Sequence, residues 1–208
     1  MDHMLTQMEE YAKNLEEEVE KKRREANEER EKIASLLDRI LPKQIVETLK
    51  TGVEMEPESF NEVSLLYLNI VSFTSITSKC LPLQVNTVGD SYLCASGIPV
   101  RNGHEHGHEI ATLALDIVKN FKNFKSKLLS EQNFQLRIGV HTGPVVAGLT
   151  GKSMPRYNVL GDSVKIVRQL ECSGKPGKIH LSSDANRFLT EVLSGYETIP
   201  RGEMLIKV

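Results

Sequence analysis

Gly161-Asp162-Ser163 is a small polar turn between a short apolar run, Tyr157 to Leu160, and an apolar-periodic segment that starts at Val164. The pattern reads as a strand handing over to a helix. Asp162 or Ser163 would cap that helix by accepting its free amide protons. A helix N-terminus carries unpaired donors and partial positive charge, so a phosphate or sugar can sit there. Many α/β turns share this pattern without binding anything. Asn69 stands late in the apolar run Val63 to Val71. A polar residue at that place is either a local turn device or a ligand at a strand's end, and turn duty is the commoner explanation. Asp90, in Gly89-Asp90, falls between the β-like runs Leu83 to Val88 and Ser91 to Ala95, which suits the tip of a hairpin. As a structural residue its carboxylate satisfies turn amides. His104, His106 and His108 invite a metal, but zinc helices use i,i+4 pairs of the His-Glu-x-x-His kind. A polar turn opening the amphipathic helix Ile110 to Leu129 accounts for them better.

The elements that must carry these residues follow from periodicity. Met1 to Leu41 contains no proline or glycine and reads as one long helix. In heptads, one seam position collects Leu5, Ala12, Val19, Ala26, Ile33 and Ile40. The other collects Met8, Leu15, Lys22, Glu29 and Leu36. The spacing predicts a parallel coiled-coil dimer, weakened in its middle by Lys22 and Glu29. The competing form is a single solvated helix laced with i,i+4 ion pairs. Pro42 ends or kinks it. Residues 1–41 are thus a helical dimerisation segment, and 42–208 the globular part. Lys43 to Lys50 is a short helix, and Glu54 to Asn61 an acidic linker. Val63 to Val71 is a buried strand. Phe134 to Val140 is a strand, Thr142-Gly143-Pro144 its turn, and Val145 to Leu149 a second strand. Ile179 to Ser182 is a short strand, with Ser183 capping a helix through Leu193.

The chain has 208 residues, 39% of them apolar, and a formal net charge of −2. That is enough apolar content for a core. Nothing in the charge balance suggests a nucleic-acid surface. No apolar run approaches the length of a membrane span. The start, Met1-Asp2-His3-Met4, lacks the apolar region of a secretory signal. Cys80, Cys94 and Cys172 show no paired metal spacing and read as free thiols in a reducing compartment.

Four stretches, in one order, carry a family likeness. Met154-Pro155-Arg156-Tyr157-x-x-x-Gly161-Asp162-Ser163-Val164 resembles the signature of the class III nucleotide cyclase catalytic domain. Leu68-Asn69-Ile70-Val71-Ser72-Phe73-Thr74 resembles that family's first metal-binding strand and turn, and Thr87-Val88-Gly89-Asp90-Ser91-Tyr92 the second. Arg137-Ile138-Gly139-Val140-His141-Thr142-Gly143-Pro144-Val145 resembles the strand before the signature. The likeness runs from about Ile33 to the C-terminus and is strongest to receptor-type guanylyl cyclases. It implies an α+β, ferredoxin-like cyclase domain preceded by a coiled-coil helix. It also implies GTP as substrate, cyclic GMP and diphosphate as products, and a site shared between two protomers of a homo- or heterodimer. Two magnesium or manganese ions would be held by two aspartates. The place is cytoplasmic, with a membrane reached only through an upstream receptor segment.

The departures from that family decide what to expect of this chain. Asn69 stands where the first metal-binding aspartate belongs, which leaves Asp90 as the carboxylate. Ser72 replaces a glycine. Asn86 and Asn158 occupy the base-reading positions and match neither the guanine nor the adenine pattern. Asp162 and Ser163 keep the turn at the nucleotide. Lys165 stands where an asparagine orients the ribose, and Gln169 where an arginine stabilises the reacting phosphate. Arg168 lies one residue away, about a hundred degrees round a helix. Between Ser78 and Thr87 too few positions remain for the family's crossover helix, since a β-helix-β crossover needs roughly a dozen residues or more. Its loss would leave a sheet face bare and prone to association. The expectation is a cyclase domain with impaired turnover, or a silent cyclase-homology module that dimerises with or regulates a partner.

Overall fold

A computed structural model of the chain describes residues 2–50, 56–71, 91–122, 135–151 and 155–205. With no proline or glycine to break it, helix α1 runs unbroken over Asp2–Ile40. Pro42 stops it, and helix α2 follows over Lys43–Lys50. The apolar seam of α1 is exposed, with Met8 at 68%, Leu15 at 49% and Leu36 at 55% of full accessibility. The chain divides into two compact units, Met1–Met55 and Glu56–Val208, so α2 falls with α1 in the first.

The second unit is built on a five-stranded sheet: β1 (Glu58–Ile70), β2 (Ser91–Ser96), β3 (Leu136–Thr150), β4 (Arg156–Leu160) and β5 (Ile179–Leu181). The order is β2-β1-β3-β4, all antiparallel neighbours, with β5 pairing parallel to β3. Side chains alternate between the two faces, as the pleat requires. Leu66, Ile138 and Val140 point to one face, where Ile110 and Ala114 of α3 (Glu105–Lys122) and Ala185 of α5 (Ser183–Arg187) cover them. Val63, Leu65 and Val145 point to the other, where Val167 of α4 (Asp162–Ser173) packs. Described helices thus cover both faces of the central strands β1 and β3. The exposed apolar side chains nearest the shortened segment are Tyr92 and Leu93 on β2. The expected loss of the crossover helix itself falls in residues 72–90, outside the described ones.

Three local expectations are corrected. Glu58 to Asn61 is strand, not linker. It pairs with β3 through Phe60↔Val145 and Glu58↔Ala147. Thr142-Gly143-Pro144 is not a turn, and β3 is continuous across it. The register shifts between Phe60 and Val63, so Pro144 falls opposite a bulge, where its missing N–H leaves no ladder bond unmade. The cap of the last helix is Ser182, one residue earlier than expected. Its hydroxyl accepts from the Ala185 amide at 3.0 Å. The helix then opens into a π-helical turn, Phe188–Val192.

Two glycines fix how α4 meets the sheet. Gly161, at φ 131°, precedes the helix in a conformation that a side chain would strain. At Gly139 a Cβ would lie 2.5 Å from the Val167 carbonyl and 2.6 Å from the Glu171 amide. The α4 backbone thus rests directly on β3.

Candidate functional site

The first turn of α4 lacks the expected cap. Its N-cap is Gly161, which has no side chain to accept the free amides. The Ser163 hydroxyl donates instead to the Pro144 carbonyl at 2.7 Å, and Ser163 is buried. Asp162 is the first helical residue, where its negative charge suits the dipole. Its carboxylate accepts from Lys165 Nζ at 2.8 Å, with both side chains exposed. Such a surface pair contributes under about 1 kcal/mol.

Along α4, Val167, Leu170 and Glu171 are buried and Arg168 is exposed. The helix runs unbroken, so Arg168 keeps its place one residue round from Gln169. Arg168 makes no ion pair among the described residues. Asn158, on β4, is exposed and donates from Nδ2 to Thr150 Oγ1 at 2.6 Å.

Asn69 sits at the end of β1, paired across the ladder with Ser91 on one side and Arg137 on the other. Its Oδ1 is buried and has no hydrogen-bond partner among the described residues. Arg137, its neighbour across the ladder, donates from Nε to Glu171 Oε1 at 2.9 Å. Glu171 is only 1% exposed, so the chain fixes one carboxylate here and spends it on an internal ion pair. Asp90 and Asn86 lie outside the described residues. Among those described, no group of three or more His, Cys, Asp or Glu side chains converges as a metal site.

The three histidines of the polar segment diverge. His106 Nδ1 and Ser64 Oγ share a hydrogen bond of 2.8 Å, and Ser64 Oγ a second of 2.9 Å with Thr142 Oγ1. The His106 ring stacks on Phe188, and its Nε2 is buried without a partner. His108 Nδ1 meets the Tyr196 hydroxyl at 2.7 Å, and His104 tilts against Phe188. Burial holds His106 and His141 below the ordinary imidazole range, so both stay neutral. Burial likewise pushes the Cys94 and Cys172 thiols up, with Glu171 adding to the effect at Cys172. Both are free thiols, as expected.

Asp162 and Ser163 also border an open cleft of about 970 Å³ with His141, Thr142 and Gly143. Asn69, Asn158, Lys165, Arg168 and Gln169 do not line it. The candidate residues therefore fall into separate groups: the β1 end, the β4 edge, the exposed face of α4, and the cleft. Sequence reasoning missed His141 and the Arg137–Glu171 pair, because neither its spacing nor its type distinguishes a buried polar residue from a surface one.

The model of the adenylate and guanylate cyclase catalytic domain matches residues 82–208, more than half of the chain. The chain belongs to the class III nucleotide cyclase family. The match begins inside the segment that reads as shortened. Receptor-type guanylate cyclase gcy-14 of Caenorhabditis elegans is 41% identical over 230 residues, covering 100% of this chain and 21% of that protein. The gcy-20 protein of the same organism is 40% identical over the same length. The chain spans about a fifth of the length of these curated relatives. Among solved structures, the guanylate cyclase domain of RhGC from Catenaria anguillulae, in complex with GTP, is 27% identical with a TM-score of 0.58. It covers 64% of this chain and 85% of that one. A dimeric guanylyl cyclase domain from Blastocladiella emersonii is similar at 27% identity and a TM-score of 0.55, over 63% and 84% of the two chains. The expected α+β cyclase architecture is thus borne out. No described helix is long and apolar enough to cross a membrane.

Proposed function

We propose that this chain is a guanylate-cyclase-type domain, related to those that take GTP to cyclic GMP and diphosphate, whose own turnover is severely reduced. The observation that carries this reading is Asn69. Its buried amide oxygen has no hydrogen-bond partner among the described residues, but it is neutral, and the adjacent Arg137 is balanced by Glu171. The donor set among the described residues is one uncharged oxygen. Two magnesium or manganese ions need carboxylates to offset their charge. The described residues do not fit that pair of ions, and Asp90 alone would supply one anion. On α4, Lys165 and Gln169 stand in for the groups that would orient a ribose and balance phosphate charge. Asn86, Asn158, Asp162 and Ser163 are the positions against which a nucleotide would lie. The first 41 residues pair with a second copy or a related chain through the exposed seam of α1. The chain acts on the cytoplasmic side of a longer, receptor-like protein.

A second reading is favoured by Arg168, exposed and without an ion pair among the described residues, and by the intact fold around α4. The chain is then a silent module that completes the site of an unlike subunit. Purified chain incubated with GTP and manganese, with cyclic GMP measured, tests the first reading. The expected result is product at or near background, and robust turnover would overturn it. Co-expression with a catalytically competent receptor-type cyclase domain tests the second, which predicts product above that of the partner alone.

A further inference from the structure

Helix α1 carries a seam that a second copy of itself fits badly. Met8, Leu15, Val19, Ile33 and Leu36 stand along one stripe of the helix, and all are exposed. An apolar stripe at heptad spacing is covered by a second helix. That pairing rests on the function proposed above; the charges within the stripe decide the partner.

Two layers of the stripe are charged. Lys22 and Glu29 stand one heptad apart in the same seam position, near the middle of the helix. Lys22 Nζ meets Glu25 of its own helix at 3.2 Å, with both side chains exposed. Such a surface pair holds its members weakly. Glu29 is exposed and has no ion pair among the described residues. In a parallel pair in register, each seam residue faces the same position of the other helix. A second copy therefore sets Lys22 on Lys22 and Glu29 on Glu29. Like charges face to face in a partly dry seam oppose association.

The shoulders of the seam fix direction and register. Glu18 and Glu25 lie along one shoulder, Arg23 and Arg30 along the other. In a parallel pair Glu18 of one helix reaches Arg23 of the second, and Glu25 reaches Arg30. An antiparallel copy sets each shoulder against its like. A copy slid by one heptad brings one Lys22 to one Glu29, but it lays the other Lys22 on Leu15 and the other Glu29 on Leu36. No pairing of two identical helices keeps the shoulder pairs and also meets both seam charges.

We infer that α1 selects against its own copy and takes an unlike helix. The partner is a parallel amphipathic helix with the same shoulders, a carboxylate in the layer of Lys22 and a cationic side chain in the layer of Glu29. Both seam charges are then met, while the apolar layers toward the two ends close as they would with any partner. Charged layers cost some affinity with every partner and most with a copy, which is how they set partner choice.

Subunit exchange in the full chain, read by native mass spectrometry, tests this. The probe partner is the same chain carrying Lys22→Glu and Glu29→Lys, which supplies the opposite charge at both layers and leaves the net charge unchanged. An equimolar mixture without preference holds mixed and like pairs in the binomial proportion. The expected result at low salt is mixed pairs about tenfold or more above that proportion, with the excess shrinking as ionic strength rises. A control partner carrying Lys21→Glu and Glu28→Lys, one position round the helix and off the seam, is expected to mix binomially. Binomial mixing with the seam variant would overturn the selection and leave the pairing of α1 standing. An equal excess with the off-seam variant would overturn it too. Chains that stay single in every mixture would overturn both the selection and the pairing.

Discussion

Glu171 is a buried carboxylate whose charge is met by Arg137, 29% exposed, at 2.9 Å. Removing one member of a buried pair leaves the other uncompensated, and this typically costs about 3–5 kcal/mol. Arg137 keeps some access to water, so Glu171→Ala should fall near the low end, about 3 kcal/mol, read as a lower urea midpoint. A loss well under 1 kcal/mol would mean that Arg137 finds solvent instead. His106 and His141 act through pH. Burial lowers both from the ordinary 6.5, so the fold prefers the neutral ring while the unfolded chain takes a proton near 6.5. Their contribution is complete above that pH and is lost as pH falls below it. The slope is at most about 1.4 kcal/mol per pH unit for each ring. Urea unfolding between pH 7.5 and 5.5 should show falling stability, with a shallower slope in His106→Gln. A flat profile would show that the rings titrate alike folded and unfolded. None of this was readable beforehand. His106 looked like one of three equivalent polar residues, and burial, not type, separates it from His104 and His108.

At the scale of elements, the contact between α4 and β3 depends on a missing side chain. Gly139→Ala would place a Cβ 2.5 Å from the Val167 carbonyl, and backbone cannot swing aside as a flexible side chain can. The variant should lose about 2–3 kcal/mol, checked by thermal or urea unfolding, unless α4 can lift off the sheet at little cost. Periodicity located α4 and β4 closely, because apolar spacing switches from one period to the other across Gly161. It missed the continuity of β3. Gly143-Pro144 is a turn signal on local grounds, and what overrides it is the bulge in β1, a feature of a strand some eighty residues away in sequence. It also placed the start of β1 too late, since Glu58 and Ser59 carry no strand propensity and are held by pairing with Val146 and Ala147.

For the whole molecule, the family was legible from four short motifs, whereas the distribution of its catalytic positions was not. Motif order places Asn69 and Lys165 in one family site. Within this chain Asn69 ends β1 with its Oδ1 buried, Lys165 is exposed on α4, and the carboxylate fixed beside Arg137, that of Glu171, is spent on an ion pair. Charge sets the outcome in such a site: two divalent cations over a triphosphate need fixed anions, and among the described residues Glu171 is already paired with Arg137. Binding of manganese is therefore more direct than turnover, which also needs ribose and phosphate positioning. Manganese titrated into the full chain with a non-hydrolysable GTP analogue, and followed by electron paramagnetic resonance, should show fewer than two protein-dependent ions per nucleotide. Asn69→Asp should tighten binding by about tenfold or more. Two tightly held ions in the unaltered chain, with Asn69→Asp making no difference, would contradict the account.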